Sequence, residues 1–401
     1  MWEQIAANKR KSAFLVVLMA LLLGAVGYFG GEAFLGRGQG GLGLGLALVI
    51  WLIMTLVAYF QGDSIYLGMA GARKVGKEDL PVLHNVVEEM TLAAGLAKMP
   101  DVYVIDDPAP NAFATGRKTE TAAVAVTSGL LKVLNRDELQ GVIAHELAHV
   151  RNRDVLLMLY AGVLAGAIVM LSEIGLRSMW FGGGRRSRRS DGEGGGNAII
   201  MIVAIALMIL APIFAQLIYF AVSRKREYLA DASAASFTRY PEGLASALEK
   251  ISRAPGKLAS ANKATAPMYI INPLARDGRM AANGTSTHPP IQERVRILRS
   301  MAGSGFGDYE RAYARVHGGG GVLPKSALAG AGARQGHRSA SAETGDRVPP
   351  RERARAVDDY MYQQEGYGRI GCPCGATLKT PPGFPLPKLR CPRCGREHPV
   401  G

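Results

Sequence analysis

Four long apolar runs, arranged as two pairs, set the terms on which this chain can fold. Ala13 to Phe29 and Leu42 to Phe60 carry no charged residue and are joined by a glycine-rich turn, and Val155 to Leu171 and Ala198 to Val222 form a second pair. A helix needs roughly 20 apolar residues, with about 17 as the lower end, to cross the hydrocarbon of a bilayer. All four runs reach that length, so four transmembrane helices in two hairpins are expected. Hydrophobic residues make up 48% of the chain, too many for an ordinary soluble enzyme, and the excess sits in these runs. Buried helices of a large soluble protein are the competing reading, but they would not need the basic residues that flank each pair. For the first run alone a cleavable leader competes, with Lys9, Arg10 and Lys11 as its basic start. No small-residue cleavage site precedes the second run, and a retained anchor is preferred.

Lys and Arg near the ends of such helices mark the cytoplasmic side. Lys9, Arg10 and Lys11 precede the first run, Arg73, Lys74 and Lys77 follow the second, Arg151 and Arg153 precede the third, and Arg224, Lys225 and Arg226 follow the fourth. All of these ends are therefore expected in the cytoplasm. Arg177, Arg185, Arg186, Arg188 and Arg189, between the third and fourth runs, oppose this if both runs span. A shallow or re-entrant second hairpin is the open alternative. The net charge of +14 lies largely in these flanks and in a basic tail, which suits the anionic surface of a lipid bilayer. No recognition-helix or RNA-binding pattern is present, and no nucleic-acid partner is expected.

Before the second pair lies His145-Glu146-Leu147-Ala148-His149. Two histidines four apart project from one helix face, where both imidazoles can hold one zinc ion, and Glu146 beside them is placed to take a proton from water. That pattern points to metal-assisted peptide hydrolysis. Asn135 with Glu138 reads as a capping box, and Leu139, Val142, Ile143 and Leu147 repeat at helical spacing, so the motif sits on a helix. Short motifs also arise by chance on surface helices, and their surroundings must decide.

A catalytic zinc site needs a third protein ligand. The second apolar pair returns the chain to the side it left, just before Glu227-Tyr228-Leu229-Ala230-Asp231. His149 stands six residues before Val155 and Glu227 five after Val222. At about 1.5 Å of rise per residue the two reach similar heights on neighbouring helices. Glu227 is the expected third ligand. Asp231, one turn on, can accept a hydrogen bond from a ligating imidazole and fix its tautomer. The competing reading of both is a solvated face beside three basic residues.

Together with Asn111-Ala112-Phe113-Ala114-Thr115-Gly116 upstream, and Ser286-Thr287-His288-Pro289-Pro290 and Arg294 downstream, these motifs resemble the HtpX-type membrane zinc metallopeptidases. That group is related to the endopeptidases that process prenylated proteins, and the resemblance runs over roughly residues 1 to 300. It implies a gluzincin-like domain on the cytoplasmic side of a bacterial inner (cell) membrane, with His145, His149 and Glu227 on zinc and Glu146 as general base. It implies that His288 and Arg294 approach the substrate and stabilise charge on the scissile carbonyl. From the residues alone, His288 reads equally well as a turn histidine before two prolines. It implies that Asn111 to Gly116 belong to an edge strand to which an extended peptide adds through main-chain hydrogen bonds. The implied role is quality control of misfolded or damaged membrane proteins. A processing protease with few substrates and a non-catalytic scaffold are the alternatives, and the intact Glu146 argues against the scaffold.

Around the zinc helix the soluble part reads as α+β. Pro81 to Ala97 forms an amphipathic pattern with Leu83, Val86, Val87, Met90 and Ala94 on one face, where His84 is a surface or packing residue. Val102 to Ile105 and Ala122 to Val126 read as short strands. From about Ala302 the composition turns to Gly, Ala, Ser and Arg, and a flexible linker is expected, with a short helix over Arg351 to Gln364. All four cysteines follow in two close pairs, Cys372 with Cys374 and Cys391 with Cys394. Two such pairs read as a zinc ribbon, in which thiolates replace a core too small to build. The first pair is Cys-x-Cys where Cys-x-x-Cys is usual, so redox or disulfide use stays open, although a reducing cytoplasm disfavours stable disulfides. The expected organisation is an N-terminal transmembrane hairpin over 1–62 and a peptidase domain over 63–300 with a hairpin inserted at 155–222. A linker over 301–368 and a zinc-ribbon-like module over 369–401 complete it. Two zinc ions are expected, one catalytic and one structural.

Overall fold

The first apolar pair folds into two long helices, α1 (Trp2–Gly30) and α2 (Gly40–Met69), that lie against each other. In the turn between them Glu32 accepts the N–H groups of Gly38 at 3.0 Å and Gly40 at 2.8 Å, satisfying amides that a helix start leaves open. The two helices cross where side chains are smallest. A Cβ on Gly43 would stand 2.1 Å from the Gly27 carbonyl oxygen, and one on Gly27 would stand 2.4 Å from the Ala47 Cβ. Close backbone approach of this kind holds helices together where lipid removes the hydrophobic drive. Ser12–Ala33 and Gly40–Met69 are both long and apolar enough to cross a membrane. Phe14, Leu21, Leu46, Leu52 and Phe60 point outward along them, a surface suited to lipid. The computed structural model describes residues 2–36, 38–155, 158, 160, 166, 168–174, 176–177, 194–221, 224–254, 258–259, 268–271, 288–329, 335–340 and 349–400.

Beyond α2 the chain builds one four-stranded sheet from β1 (Ala72–Lys74), β2 (Asp101–Ile105), β3 (Ala112–Thr115) and β4 (Ala123–Thr127), in the order β1-β2-β4-β3. β2 and β4 run parallel, with Val102 opposite Val124, and β3 runs antiparallel to β4, with Ala112 opposite Val126. β3 is thus an edge strand, and its end is fastened to α2. Thr115 Oγ1 donates to Asp63 at 3.4 Å, while Arg117 lies over the rings of Tyr59 and Phe60 and donates to the Tyr59 carbonyl at 3.3 Å. α3 (Pro81–Ala94) buries Leu83, Val86, Val87, Met90 and Ala94. It ends three residues short of the expected Ala97, because Gly95 adopts a left-handed conformation (φ 65°) that closes the last turn.

α4 (Ser128–Val133) leads into α5 (Arg136–Asn152), the helix of the paired histidines. Its start is the expected capping box: Asn135 Oδ1 accepts the Glu138 N–H at 2.9 Å, and Glu138 Oε2 accepts the Asn135 N–H at 2.8 Å.

The fourth apolar run is helical as α6 (Gly194–Ala221), and it packs on α1. Its Ala211 joins Leu15, Met19, Leu23 and Ala47 in one apolar cluster, together with Ile168 of the third run. The described apolar stretch of α6 is Ile199–Phe214, so two helices, rather than the four expected, are long and apolar enough to span among the described residues. Much of the third run and the arginine-rich stretch at 178–190 lie outside them.

α7 (Arg224–Thr238) and α8 (Pro241–Arg253) both pack on α5, and α9 (Ile291–Arg299) and α10 (Phe306–His317) close the far side. Only glycine fits the crossing of α5 and α8, since a Cβ on Gly141 would come within 2.6 Å of the Leu244 nitrogen.

Part of the stretch expected to be a linker folds back onto this body. α10 buries Tyr309 and Ala312, and α11 (Lys325–Ala329) buries Ala327. Arg338 straps the start of α5, donating to Asp137 Oδ1 at 2.7 Å and Gln140 Oε1 at 2.8 Å while lying over the Tyr240 ring. α12 (Pro350–Gln364) sends Val357, Tyr360 and Met361 into the main core. The helical spacing of Phe306, Tyr309, Ala312, Tyr313 and Val316 marks α10, and α12 falls on the short helix expected over Arg351 to Gln364, whereas nothing local marks the contacts of Arg338. Two hairpins follow, β5 (Gly368–Gly371) with β6 (Thr377–Thr380) and β7 (Lys388–Arg390) with β8 (Glu397–Pro399). Lys379 and Arg369 both pair with Asp359 and so tie the first hairpin to α12.

Gly43→Val should lower stability by about 1–3 kcal/mol through overpacking at the α1–α2 crossing. Gly45→Val, which meets nothing within 4 Å, should leave it unchanged. Thermal unfolding of the two variants in detergent would show the difference.

Candidate active site

α5 and α7 bring the three expected ligands together. His145 Nε2 and His149 Nε2 stand 3.2 Å apart, and the Glu227 carboxylate lies 3.6 Å from the first and 3.5 Å from the second. Each imidazole turns its other nitrogen to a buried carboxylate. His145 Nδ1 is 3.0 Å from Asp231 Oδ1, and His149 Nδ1 is 3.2 Å from Asp154 Oδ2. With Nδ1–H donated to the carboxylates, both Nε2 lone pairs converge with Glu227 on one point, an arrangement that favours a cation between them. Tetrahedral bonds of about 2.0–2.1 Å, the zinc–imidazole distance, set ligand atoms about 3.3–3.4 Å apart. The observed separations fit that ion.

The electrostatics make the same demand. Burial disfavours a charged His145, yet hydrogen bonds to Asp231 and Glu227 bring its pKa up to about 9. Burial would raise Glu227 too, but His288, His145, His149 and Arg294 hold it well below the usual carboxylate range. Asp231 is likewise held down against its burial by Arg294, which grips it with two bonds of 2.8 and 2.6 Å. The pocket is short of positive charge.

Glu146 is 1% exposed, and its Oε1 has no hydrogen-bond partner among the described residues. Burial raises its pKa, opposed by His145, by His149 and by a main-chain hydrogen bond at Ala114. A carboxylate so held binds a proton more readily than one in water. His288 Nε2 lies 3.7 Å from Glu227 Oε2, and burial pushes its pKa down to about 4 against the pull of Glu227. Arg294 Nη1 is 3.5 Å from the same oxygen. His288 and Arg294 are therefore both brought to the centre, whereas Ser286 and Thr287 lie outside the described residues.

Asn111 to Gly116 reach the site through β3. Ala114 lines the same small cavity as His145, Glu146, His149 and Glu227. The outer edge of β3 meets another part of the chain, for Ala112 O accepts the Ile270 N–H at 2.9 Å and Asn111 Nδ2 donates to Ile271 O at 3.0 Å. This pairing and the carboxylate of Asp154 are what sequence reasoning missed. An acidic residue five positions after the second histidine, just beyond the end of α5, was a readable signal for Asp154. Nothing local marks residues 268–271.

In the tail the four thiols come together. Cys372 Sγ is 3.4 Å from Cys374 Sγ and 3.4 Å from Cys394 Sγ, and Cys374 Sγ is 3.7 Å from Cys391 Sγ. The thiols are free of disulfides, and their spacing suits zinc–sulfur bonds of about 2.3 Å, for which a tetrahedron has edges of about 3.8 Å.

Residues 78–302 match the profile of a known protein family, peptidase family M48. A protein named Protease HtpX homolog from Thermoanaerobacter pseudethanolicus is 45% identical over 302 residues, which is 75% of this chain and 98% of that protein. One of the same name from Streptococcus uberis is 41% identical over 301 residues, covering 75% of this chain and all of its own length. Among solved structures, the crystal structure of S. mikatae Ste24p aligns over 74% of this chain and 67% of that chain at 18% identity. Its TM-score of 0.38 is too low to carry an overall arrangement across. On the family profile and on relatives matched across nearly their whole length, this chain belongs to peptidase family M48 and is a membrane zinc metallopeptidase.

Proposed function

We propose that this peptidase is an endopeptidase that works from the cytoplasmic face and cuts misfolded or damaged membrane proteins, with both apolar pairs spanning the bilayer. The observation that carries the chemistry is the convergence of His145, His149 and Glu227 within 4.8 Å beside a buried Glu146. The basic flanks of the apolar runs support the cytoplasmic side, and the clustering of Ile168 and Ala211 with α1 and α2 supports the second pair. Quality control is the role that the resemblance to the HtpX-type peptidases implies.

Zinc held by His145, His149 and Glu227 would polarise the scissile carbonyl and lower the pKa of water to about 7. Glu146 takes the proton of the attacking water and passes it to the leaving amine. Asp154 and Asp231 hold the two imidazoles in the tautomer that leaves Nε2 free. Arg294, permanently charged and fixed by Asp231, and His288 stabilise negative charge as it grows on the carbonyl oxygen. Asn111 to Gly116 receive the substrate as an added strand through main-chain groups, which asks little of its side chains and suits unfolded segments. The four cysteines hold a second, structural zinc.

Cleavage of casein by the detergent-purified, zinc-loaded protein tests the reading. Glu146→Gln should lower kcat/KM by about 10²–10⁴-fold with zinc still bound. Equal rates for the two would overturn the role of Glu146. Asp154→Asn should weaken zinc retention by about 10–100-fold, read by chelator competition. Metal analysis should give two zinc ions per chain for the wild type and one for Cys391→Ser, with casein cleavage retained.

A further inference from the structure

The candidate centre is sealed. His145, Glu146, Glu227 and His288 are each no more than 5% exposed, and His149 is 8% exposed. An endopeptidase must admit extended chain on both sides of the bond it cuts, so some part of the wall has to give way. Most of that wall cannot move without dismantling the site. His145, Glu146 and His149 sit on α5, Glu227 on α7, and β3 is paired with β4 along its whole length.

Met268 to Ile271 are different. They are held on the outer edge of β3 by the groups that the proposed reading assigns to a substrate. Ile270 donates its N–H to Ala112 O at 2.9 Å, Ile271 O accepts from Asn111 Nδ2 at 3.0 Å, and Ile270 O accepts from Arg294 Nη1 at 3.3 Å. Tyr269 is 1% exposed and packs edge-on against Phe113, with ring centroids 5.1 Å apart. The segment offers an edge carbonyl its N–H, and it offers the asparagine amide and the buried guanidinium their carbonyls. It therefore uses the donors and acceptors through which a peptide strand would be gripped.

We infer that Met268 to Ile271 are an internal stand-in for the substrate strand, which must leave the edge of β3 before a peptide can be cut. The inference rests on the reading of Asn111 to Gly116 as the substrate edge. The exchange is nearly balanced, because an incoming extended peptide restores each main-chain bond that the segment gives up. What tips it is chain already unfolded and high in local concentration. A folded protein, with its strands paired internally, cannot compete.

The test is hydrogen–deuterium exchange on the full-length, zinc-loaded Glu146→Gln protein in detergent, with and without saturating casein. Residues 268–271 should lose protection when casein binds, while β4 keeps its own. Unchanged protection at 268–271 with casein bound would overturn the inference. A second measurement is independent of that one. Ile270→Pro, which removes the N–H donor, should raise kcat/KM for casein about fivefold, the factor expected when the closed state loses one hydrogen bond. An equal or lower rate, with zinc content and melting temperature retained, would make the segment a permanent part of the wall and overturn the inference. If the wild-type enzyme cuts no casein, the endopeptidase reading fails first, and the exchange result still decides whether the segment yields to a bound chain.

Discussion

Buried negative charge between α5 and α7 is the condition that the rest of the molecule answers. Glu146, Asp154, Glu227 and Asp231 are all within 3% of complete burial, and Arg294 is the fully buried cation set among them. Carboxylates removed from water are costly unless each finds a partner. Arg294 meets Asp231, the two imidazoles meet Asp154, Asp231 and Glu227, and a divalent ion completes the balance for Glu227. The surrounding fold is a rigid mount for this cluster. The capping box starts α5, the Gly141 crossing brings α8 against it, and Arg338 clamps its first turn from outside. Small displacements of any ligand would unbalance charges that cannot reach solvent.

The legible parts were those in which chemistry and local geometry coincide. A helix start, an apolar repeat and two histidines one turn apart gave the beginning of α5 and the face that carries the motif. Counting residues out from the second apolar pair led to Glu227, which the fold sets beside the two imidazoles. Asp231 followed from Glu227 by a single helical turn. The amphipathic face of α3 was readable, while its end depended on the backbone conformation of one glycine.

The rest was illegible because its partners lie far apart in the chain. Ile270 pairs with Ala112, and Arg338 reaches Asp137 and Gln140, across separations that leave no mark on periodicity. The tail shows the effect most clearly. A stretch rich in Gly, Ala, Ser and Arg looks unstructured, yet the apolar stripes of α10 and α12 and the single side chain of Arg338 are enough to lay parts of it on the peptidase body. Composition reports the average character of a segment, and such docking is decided by its exceptions.

The link between β3 and α2 has a geometric corollary. α2 has 30 residues, about 45 Å of helix, against a bilayer core of about 30 Å. Its uncharged run ends at Phe60, so the turns carrying Asp63 and Tyr66 rise clear of the lipid. Thr115 ties the edge strand to Asp63 on that stub, and Arg117 grips Tyr59 and Phe60 one turn below it, so the strand beside the catalytic centre is fixed to the end of α2. Any shift of α2 along its axis is carried by β3 to the helix of the paired histidines, which packs on that strand.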